Sequence, residues 1–279
     1  MLEIEIFNVE QGFCAAINLG EHHSILIDSG ENSSTGFKAS NYLLQHHCRS
    51  LDCLVLATYT EDHLLGISDL VRESFGHISI NFLVANPSIE PDQFPGLDKA
   101  LRRFGNALTM ATDWHPECGK ISQTLTVQDI TLTFFWNNYP DFKDAHNLSL
   151  VTFLSYRDIN IIFPSDQQVE GWRSLLKCDD FCDRLRRVNM FVAADHGREE
   201  GYCPEVFDFC RPELIIVSNE SNQRISPQIL NQYQKHSKGS HYGICDQKVL
   251  TTYDNGTITI SKVLDRLRQV TTQYSDVRS

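Results

Sequence analysis

The sequence of 279 residues has no long apolar run, and its acidic residues outnumber its basic ones. No stretch approaches the roughly 18 consecutive apolar residues that a membrane-spanning helix needs. Residues 1–6 (MLEIEI) alternate polar and apolar side chains, whereas a signal peptide has a basic start and a continuous apolar core. With 24 Lys and Arg against 36 Asp and Glu, the formal net charge of −12 argues against a broad face for nucleic-acid phosphates. We therefore expect no membrane association and no extended basic surface.

The sequence is equally short of ordered cysteine spacing and of linker segments. Its nine cysteines are an odd number, scattered without the spacing of a disulfide framework or of a cysteine metal site. Reduced thiols in the cytoplasm are therefore the expectation. Because no Pro- or Gly-rich stretch divides the chain, we predict a single domain over residues 1–279 with two pseudo-repeated halves, about 1–120 and 121–279.

What the sequence does contain is a regular alternation of predicted strands and helices. Strands are predicted at 2–6, 14–17, 24–27, 54–56, 78–84, 125–127, 130–135, 148–154, 159–163, 188–192, 214–217, 249–253, 257–260 and in the tail 261–273, and helices at about 36–47, from 64, at 97–104, around 172, at 204–209 and at 226–233. Residues 254–256 (DNG) predict a hairpin, and Ser33 and Ser34 are predicted to cap the first helix. The order predicts an α/β fold, a four-layer αββα sandwich of two mixed sheets with outer helices.

Residues 54–66 (LVLATYTEDHLLG) connect a buried strand to a helix through a polar turn. Residues 54–56 form the apolar run of a strand buried on both faces, and helical spacing of apolar residues begins at Leu64. Asp62 and His63 therefore lie at a strand-to-helix junction, where a carboxylate beside an imidazole suggests a metal site. The alternative is structural, with Asp62 as a helix N-cap and His63 exposed to solvent.

Seven short segments occur in the order that they have in one family. They are 7–12 (FNVEQG), similar to F-x-V-G-Q-G; 25–30 (ILIDSG), similar to I-L-I-D-x-G; 54–66, similar to L-V-L-T-H-x-H-x-D-H-x-x-G; 147–151 (NLSLV), similar to N-x-S-L-V; 163–166 (FPSD), similar to L-x-G-D; 195–197 (DHG), similar to H-H-G; and 252–258 (TYDNGTI), similar to T-x-x-x-G-x-I. The chain thus resembles the metallo-β-lactamase fold, and specifically the hydrolase domain of competence-type DNA-uptake proteins. The resemblance implies the same four-layer sandwich and a metal-dependent hydrolase.

The resemblance also implies where metal ligands stand and which of them are missing. Thr58 and Thr60 occupy the positions of the family's first two histidines, so the first metal position is degenerate, and Phe13 replaces an aspartate near the site. His146 and Asn147 lie where a further ligand of that position is expected, and they are candidate substitute ligands. The positions implied for the second metal are retained: Asp62, His63, Asp166 and His196.

Two carboxylates and two imidazoles suit zinc, manganese or iron, and we expect one divalent transition metal, zinc or manganese. The resemblance gives Asp62 a catalytic role as well, in which it orients the attacking water and accepts its proton. Asp195 either pairs with an imidazole or is itself a ligand. A structural alternative exists for Asp166 too, because aspartate commonly closes a turn at the end of a strand.

Two functions fit this pattern. The first is a one-metal hydrolase with a phosphodiester or nucleic-acid substrate, a substrate class that comes from the resemblance alone. The second is an inactive pseudoenzyme that needs no metal and serves as a binding or regulatory subunit beside a separately encoded protein partner. Metal binding and turnover of a phosphodiester distinguish the two.

Overall fold

Fourteen strands form two sheets in the part of the chain that the computed structural model describes, namely residues 1–9, 12–20, 22–70, 78–89, 122–219, 225–239, 247–263 and 268–274. The strands are β1 (Leu2–Ile6), β2 (Ala15–Leu19), β3 (His23–Ile27), β4 (Ser50–Val55), β5 (Ser79–Val84), β6 (Ser122–Val127), β7 (Ile130–Phe135), β8 (Val151–Tyr156), β9 (Ile159–Phe163), β10 (Met190–Val192), β11 (Leu214–Val217), β12 (Val249–Thr251), β13 (Ile258–Lys262) and β14 (Gln269–Thr272). The first sheet has the order β14-β13-β1-β2-β3-β4-β5, and the second has the order β12-β11-β10-β9-β8-β7-β6.

Short helices cover the outer faces of the two sheets. They are α1 (Ala39–Gln45), α2 (Glu61–Leu64), α3 (Ile67–Leu70), α4 (Val169–Leu175), α5 (Asp179–Leu185), α6 (Pro227–His236) and α7 (Thr252–Asn255), with 3-10 helices at Ala194–Gly197, Glu199–Gly201 and Pro204–Asp208. Helices α1 and α3 pack on the first sheet through Leu43 and Ile67. Helices α4 and α5 pack on the second sheet through Trp172 and Phe181.

The main core lies between the two sheets. Leu2, Ile4 and Ile6 alternate along β1 with partly exposed residues, as a strand with one buried face requires, and all three are fully buried. They belong to one apolar cluster with residues of the second sheet such as Phe134 and Ile161. Two mixed sheets with helices on both outer faces confirm the predicted αββα sandwich.

The parallel parts of both sheets position the candidate site. Strands β3, β4 and β5 run parallel in the first sheet, as do β9, β10, β11 and β12 in the second. Polar residues follow the carboxyl ends of these strands: Asp28 after β3, His63 after β4, Asp166 after β9, His196 after β10 and Ser218 after β11. Ligand sites of α/β proteins characteristically lie at such strand ends.

The predicted hairpin around residues 254–256 is wrong. Strand β12 pairs in parallel with β11 in the second sheet, whereas β13 pairs antiparallel with β1 in the first. Between them the chain forms α7, which Thr251 caps by accepting a hydrogen bond from the Asp254 backbone N–H at 3.0 Å. Asp-Asn-Gly therefore ends a helical turn, and the chain crosses from one sheet to the other instead of folding back on itself.

The predicted cap of the first helix is wrong, and so is the structural alternative that makes Asp62 an N-cap. Helix α1 begins after Lys38, so Ser33 and Ser34 lie in the preceding loop. In α2 the N-cap residue is Thr60, which places Asp62 in the first turn of the helix and leaves its carboxylate available for other contacts. The strand predicted in the tail is confirmed by β13 and β14. The helix predicted at 97–104 lies outside the described residues. Within those residues, no helix combines the length and apolar composition that crossing a membrane requires.

Candidate metal centre

Three ligand atoms converge where the ends of the two sheets meet. The Nε2 atom of His63 lies 3.4 Å from Nε2 of His196, and the Oδ1 atom of Asp166 lies 3.3 Å and 3.4 Å from these two nitrogens. His63 is fully buried and Asp166 nearly so. The three atoms therefore form an almost equilateral triangle inside the protein.

Hydrogen bonds outside the triangle orient both imidazole rings. The Nδ1 atom of His63 lies 2.7 Å from Oδ2 of Asp28, and Nδ1 of His196 lies 3.1 Å from the backbone oxygen of Ser218. Both partners are acceptors, which assigns the ring proton to Nδ1 in each histidine and leaves Nε2 with a lone pair. Asp166 Oδ1 has no hydrogen-bond partner among the described residues. With each ring in this neutral form, three acceptor atoms face one another, as the ligands of a metal ion do.

This arrangement fits a transition metal. Bonds of 2.0 to 2.1 Å in a tetrahedral zinc site place neighbouring ligand atoms about 3.3 to 3.4 Å apart, which matches the triangle. A cavity of about 10 Å³ lies beside the three residues, close to the size that holds one water molecule or one oxygen atom next to an ion in the triangle. Pairs of the form carboxylate–histidine and carbonyl–histidine are also the usual supports of histidines that bind metal.

The charges of the cluster favour a cation. Burial by itself disfavours the charged imidazole, but the negative charges of Asp166 and Asp28 outweigh it and raise the pKa of His63 well above its usual value. Burial would raise the pKa of Asp166, yet His63 and His196 outweigh it and hold that pKa well below its usual range. Asp166 is therefore kept ionised, and the centre attracts positive charge.

The predicted residues Asp62, His63, Asp166 and His196 come together in the structure. Asp62 joins the two histidines in a group whose ligand atoms all lie within 4.8 Å of one another. Asp62 is only partly buried, and the His196 side chain is 12% exposed. These two residues therefore form the side of the cluster that faces solvent, from which a substrate or metal would enter.

Thr58 and Thr60, predicted to occupy the positions of two missing histidines, have buried hydroxyls in different surroundings. Thr58 is fully buried, and its hydroxyl donates to the backbone oxygen of Ala145 at 3.3 Å. The Thr60 hydroxyl is buried and has no hydrogen-bond partner among the described residues. Phe13 lines the same small cavity as His63 and packs edge-to-face on Phe163, with ring centroids 6.1 Å apart. Of these three residues, Phe13 lines the cavity, and neither threonine is among its described lining residues.

His146 and Asn147 are not part of the cluster. Among the described histidines, cysteines and acidic residues, His146 is not in the group that could share a metal. The Asn147 side chain accepts from the Gly171 backbone N–H at 2.9 Å and approaches Asp144 at 3.2 Å, so its amide holds the loop to α4.

The Asp195 carboxylate is hydrogen-bonded to residues other than the two imidazoles. Its two oxygens accept from Gln168 Nε2 at 2.9 Å and from Arg198 Nη1 at 3.2 Å. Its carboxylate therefore supports the loop that carries His196, and neither imidazole of the cluster is its partner. The imidazole-pairing carboxylate is Asp28, which follows β3 in the segment 25–30. The motif drew attention to that segment, but only the structure shows the contact.

A scan against protein-family models and a search of curated proteins found no match. Solved structures are nevertheless similar. Zn²⁺-bound PqqB from Methylobacterium extorquens superimposes with a TM-score of 0.52 at 12% identity, over 91% of this chain and 99% of that one. A diphosphatase of the PhnP family gives 0.50 at 8% identity, over 94% and 98%. Long-form RNase Z from yeast gives 0.54 at 11% identity, over 92% of this chain and 41% of that one.

At such low identity these similarities show the fold alone. The fold is a two-sheet α/β sandwich consistent with the metallo-β-lactamase fold. The chain combines this fold with a His/Asp cluster that could hold a metal ion.

Proposed function

We propose that this chain is a one-metal phosphodiesterase or nuclease-like hydrolase with a degenerate motif, related to the competence-type DNA-uptake branch of its fold class. The observation that carries the proposal is the triangle of acceptor atoms on His63, His196 and Asp166, with sides of 3.3 to 3.4 Å. Asp62 is the fourth proposed ligand. A divalent metal bound there supplies Lewis acidity and brings the pKa of a water molecule towards about 7.

The residues of this chain have distinct roles in the proposed reaction. His63 and His196 present Nε2 because Asp28 and the Ser218 backbone hold their Nδ1 protons. Asp166, kept ionised, supplies the buried negative charge. Asp62, on the solvent side, orients the attacking water and accepts its proton.

A single metal is favoured by the residues at the other position. The Thr58 hydroxyl is engaged with Ala145, and a neutral hydroxyl is a poor replacement for an imidazole. Phe13 brings an apolar ring where the family has a carboxylate. These side chains offer no charge to a second cation.

The test is metal analysis of protein purified without chelator, followed by zinc and manganese titration. We expect about one metal per chain, lost in Asp166→Ala and His63→Ala. A generic bis-aryl phosphodiester should be turned over by the loaded protein and not by His63→Ala. Absence of bound metal after titration would contradict the proposal, and Asp52→Ala, which alters a distant carboxylate, is the matched control.

A second candidate is a pseudoenzyme, and the buried Thr58 and Phe13 favour it specifically. Under this alternative the sandwich is a binding or regulatory subunit beside a separately encoded protein partner. Stoichiometric metal without phosphodiester turnover would support it.

The seven described cysteines are free thiols, which agrees with our further proposal of a reducing, cytoplasmic location.

A further inference from the structure

Two serine hydroxyls beside the candidate metal centre make no hydrogen bond to its described residues. The Oγ atoms of Ser165 and Ser218 are buried and have no hydrogen-bond partner among the described residues. Both serines line the small cavity beside His63 and His196, and Ser218 is only 2% exposed. Buried hydroxyls are rarely left without a partner in native proteins, and the exceptions often mark a site for a ligand or water.

Each serine is held in place by its own backbone. The Ser165 backbone oxygen accepts from the Asp195 N–H at 2.9 Å, and the Ser218 backbone oxygen accepts from His196 Nδ1 at 3.1 Å. Ser165 has a φ of 54°, a left-handed conformation that non-glycine residues rarely adopt. The main chain of both serines thus positions the residues around His196, and both hydroxyls remain beside the cavity.

The other polar groups of the cavity do not satisfy these hydroxyls. Asp28 already accepts from the Ala57 backbone N–H at 2.7 Å and contacts His63 at 2.7 Å. Asp166 Oδ1 is 3.3 to 3.4 Å from the two imidazole nitrogens and receives no hydrogen bond from either serine. Both hydroxyl protons therefore remain available to an oxygen that enters beside the cluster.

We infer that Ser165 and Ser218 donate hydrogen bonds to a non-bridging oxygen of a singly charged phosphodiester bound at the metal centre. The inference rests on the proposed function and names its substrate class. The cavity, at about 10 Å³, has room for one oxygen atom, with the remainder of the diester on the exposed side near Asp62. Its twelve described lining residues include no Lys or Arg, so neutral donors meet the anion. Neutral donors suit a single negative charge better than the nearly doubled charge of a phosphate monoester.

The test uses the full-length protein loaded with Co²⁺, whose visible absorption changes when a ligand binds close to the ion. Dimethyl phosphate, a slowly hydrolysed diester, is titrated into the wild type, Ser218→Ala and Ser165→Ala. We expect each variant to raise the dissociation constant for dimethyl phosphate about tenfold, with Co²⁺ affinity within twofold of wild type. Alanine at position 165 keeps the left-handed strain unchanged. Ser40→Ala is the control, because the Ser40 hydroxyl is also buried and without a hydrogen-bond partner among the described residues, but Ser40 lies on α1.

The outcomes separate this inference from the proposed function. Unchanged diester affinity in both serine variants, with Co²⁺ bound, would overturn the inference and leave the metal centre intact. Tenfold tighter binding of inorganic phosphate than of dimethyl phosphate would overturn the assignment of a singly charged ligand. If the wild type binds no Co²⁺, the proposed function fails at that earlier step and this inference fails with it. Diester binding that depends on the serines, without turnover, would support the ligand site and contradict catalysis.

Discussion

Single contacts around His63 decide how well the candidate metal centre is organised. Asp28 is fully buried, and one of its oxygens holds the Ala57 backbone N–H while the other holds His63. A carboxylate in this position fixes the orientation of the ring and increases the basicity of the nitrogen that faces the metal. Asp28 therefore contributes to metal affinity without being a ligand.

We expect Asp28→Asn to weaken metal binding by about 10- to 100-fold, because the amide retains the size of the side chain but not its charge. Competition with a chromogenic chelator measures the change. Asp52→Asn is the matched control, since Asp52 also pairs with a histidine, His23, at 3.2 Å, but near the amino ends of β3 and β4, where both side chains are partly exposed. Equal affinities in the two variants would contradict a supporting role for Asp28.

The four residues that the sequence predicts as metal ligands lie near one another in the structure, and their role as ligands stays a prediction. The sequence does not predict the two groups that orient the imidazoles. Asp62, His63, Asp166 and His196 belong to motifs at strand ends, and strand ends converge in layered α/β folds. The partners of the imidazoles are set by side-chain direction and by a backbone carbonyl, that of Ser218, whose residue type carries no signal. For the same reason Asp195, which is adjacent to His196 in sequence, is not its partner in space.

At the scale of elements, Gly12 packs against the first turn of α2. Gly12 has a φ of +79°, and a Cβ atom added there would lie 2.4 Å from the backbone oxygen of Asp62 and 2.9 Å from the His63 nitrogen. Backbone packs directly on backbone at this point, so no flexible side chain can move away. The position of the Asp62–His63 peptide therefore requires a residue without a Cβ atom at position 12.

We expect Gly12→Ala to lower metal affinity by at least tenfold, because the methyl group displaces the peptide that carries Asp62 and His63. Gly36→Ala is a close control: its φ is +74°, and a Cβ there meets nothing within 4 Å. Both variants have the cost of a left-handed alanine, about 1 kcal/mol, so only the contact with α2 differs. Calorimetric metal titration of the two proteins measures the effect, and matching affinities would contradict it.

A second element offers a test that does not involve the site. Strands β6 and β7 are joined by the two residues Gln128 and Asp129, and Gln128 has a φ of 52°. A positive φ at the first of two loop residues is a feature of the type I′ and II′ turns of such hairpins, where glycine is favoured. We expect Gln128→Gly to stabilise the fold by about 0.5 kcal/mol, seen as a melting temperature about 1 to 2 °C higher. Gln128→Ala should show no gain, and a gain of equal size would contradict the explanation.

Strand and helix positions were predictable where one periodic pattern dominates a segment. Strand β9 has its predicted bounds, and β7 and β11 do as well, because their apolar runs are continuous or alternate strictly. The hairpin predicted at residues 254–256 is wrong because a turn signal is local and does not specify which sheet the next strand joins. Here β13 pairs with β1, whose partner residues lie about 250 positions earlier, for example Ile6 opposite Ile258.

At the scale of the whole molecule, this long-range pairing means that the two sheets do not coincide with the two predicted halves of the chain. Strands β13 and β14 follow the second sheet in sequence but complete the first sheet in space. One apolar cluster contains residues of both sheets, such as Ile17 and Leu154. The shared core and the returning strands support the predicted single domain, which stays a prediction for the chain as a whole.

The candidate metal centre also connects the two sheets, because each sheet supplies part of it. His63 follows β4 of the first sheet, whereas Asp166 and His196 follow β9 and β10 of the second. The buried Asp166 Oδ1 lies 3.3 and 3.4 Å from the two imidazole nitrogens, so a cation bound there contacts groups from both sheets. A ligand that binds only the folded state stabilises it by about 2.7 kcal/mol at 100 times its dissociation constant.

We therefore expect bound zinc to raise the melting temperature by about 5 to 10 °C over protein treated with chelator. His46→Ala, which removes an exposed histidine at the end of α1, should show the same shift as wild type, and Asp166→Asn should show almost none. If zinc binds but the melting temperatures agree, the unfolded chain must bind it equally well, and the cluster is not a connection specific to the native fold. If zinc still raises the melting temperature of Asp166→Asn, the stabilising metal binds elsewhere. Among the described residues, Asp166 supplies the only carboxylate oxygen within 3.4 Å of Nε2 in both His63 and His196.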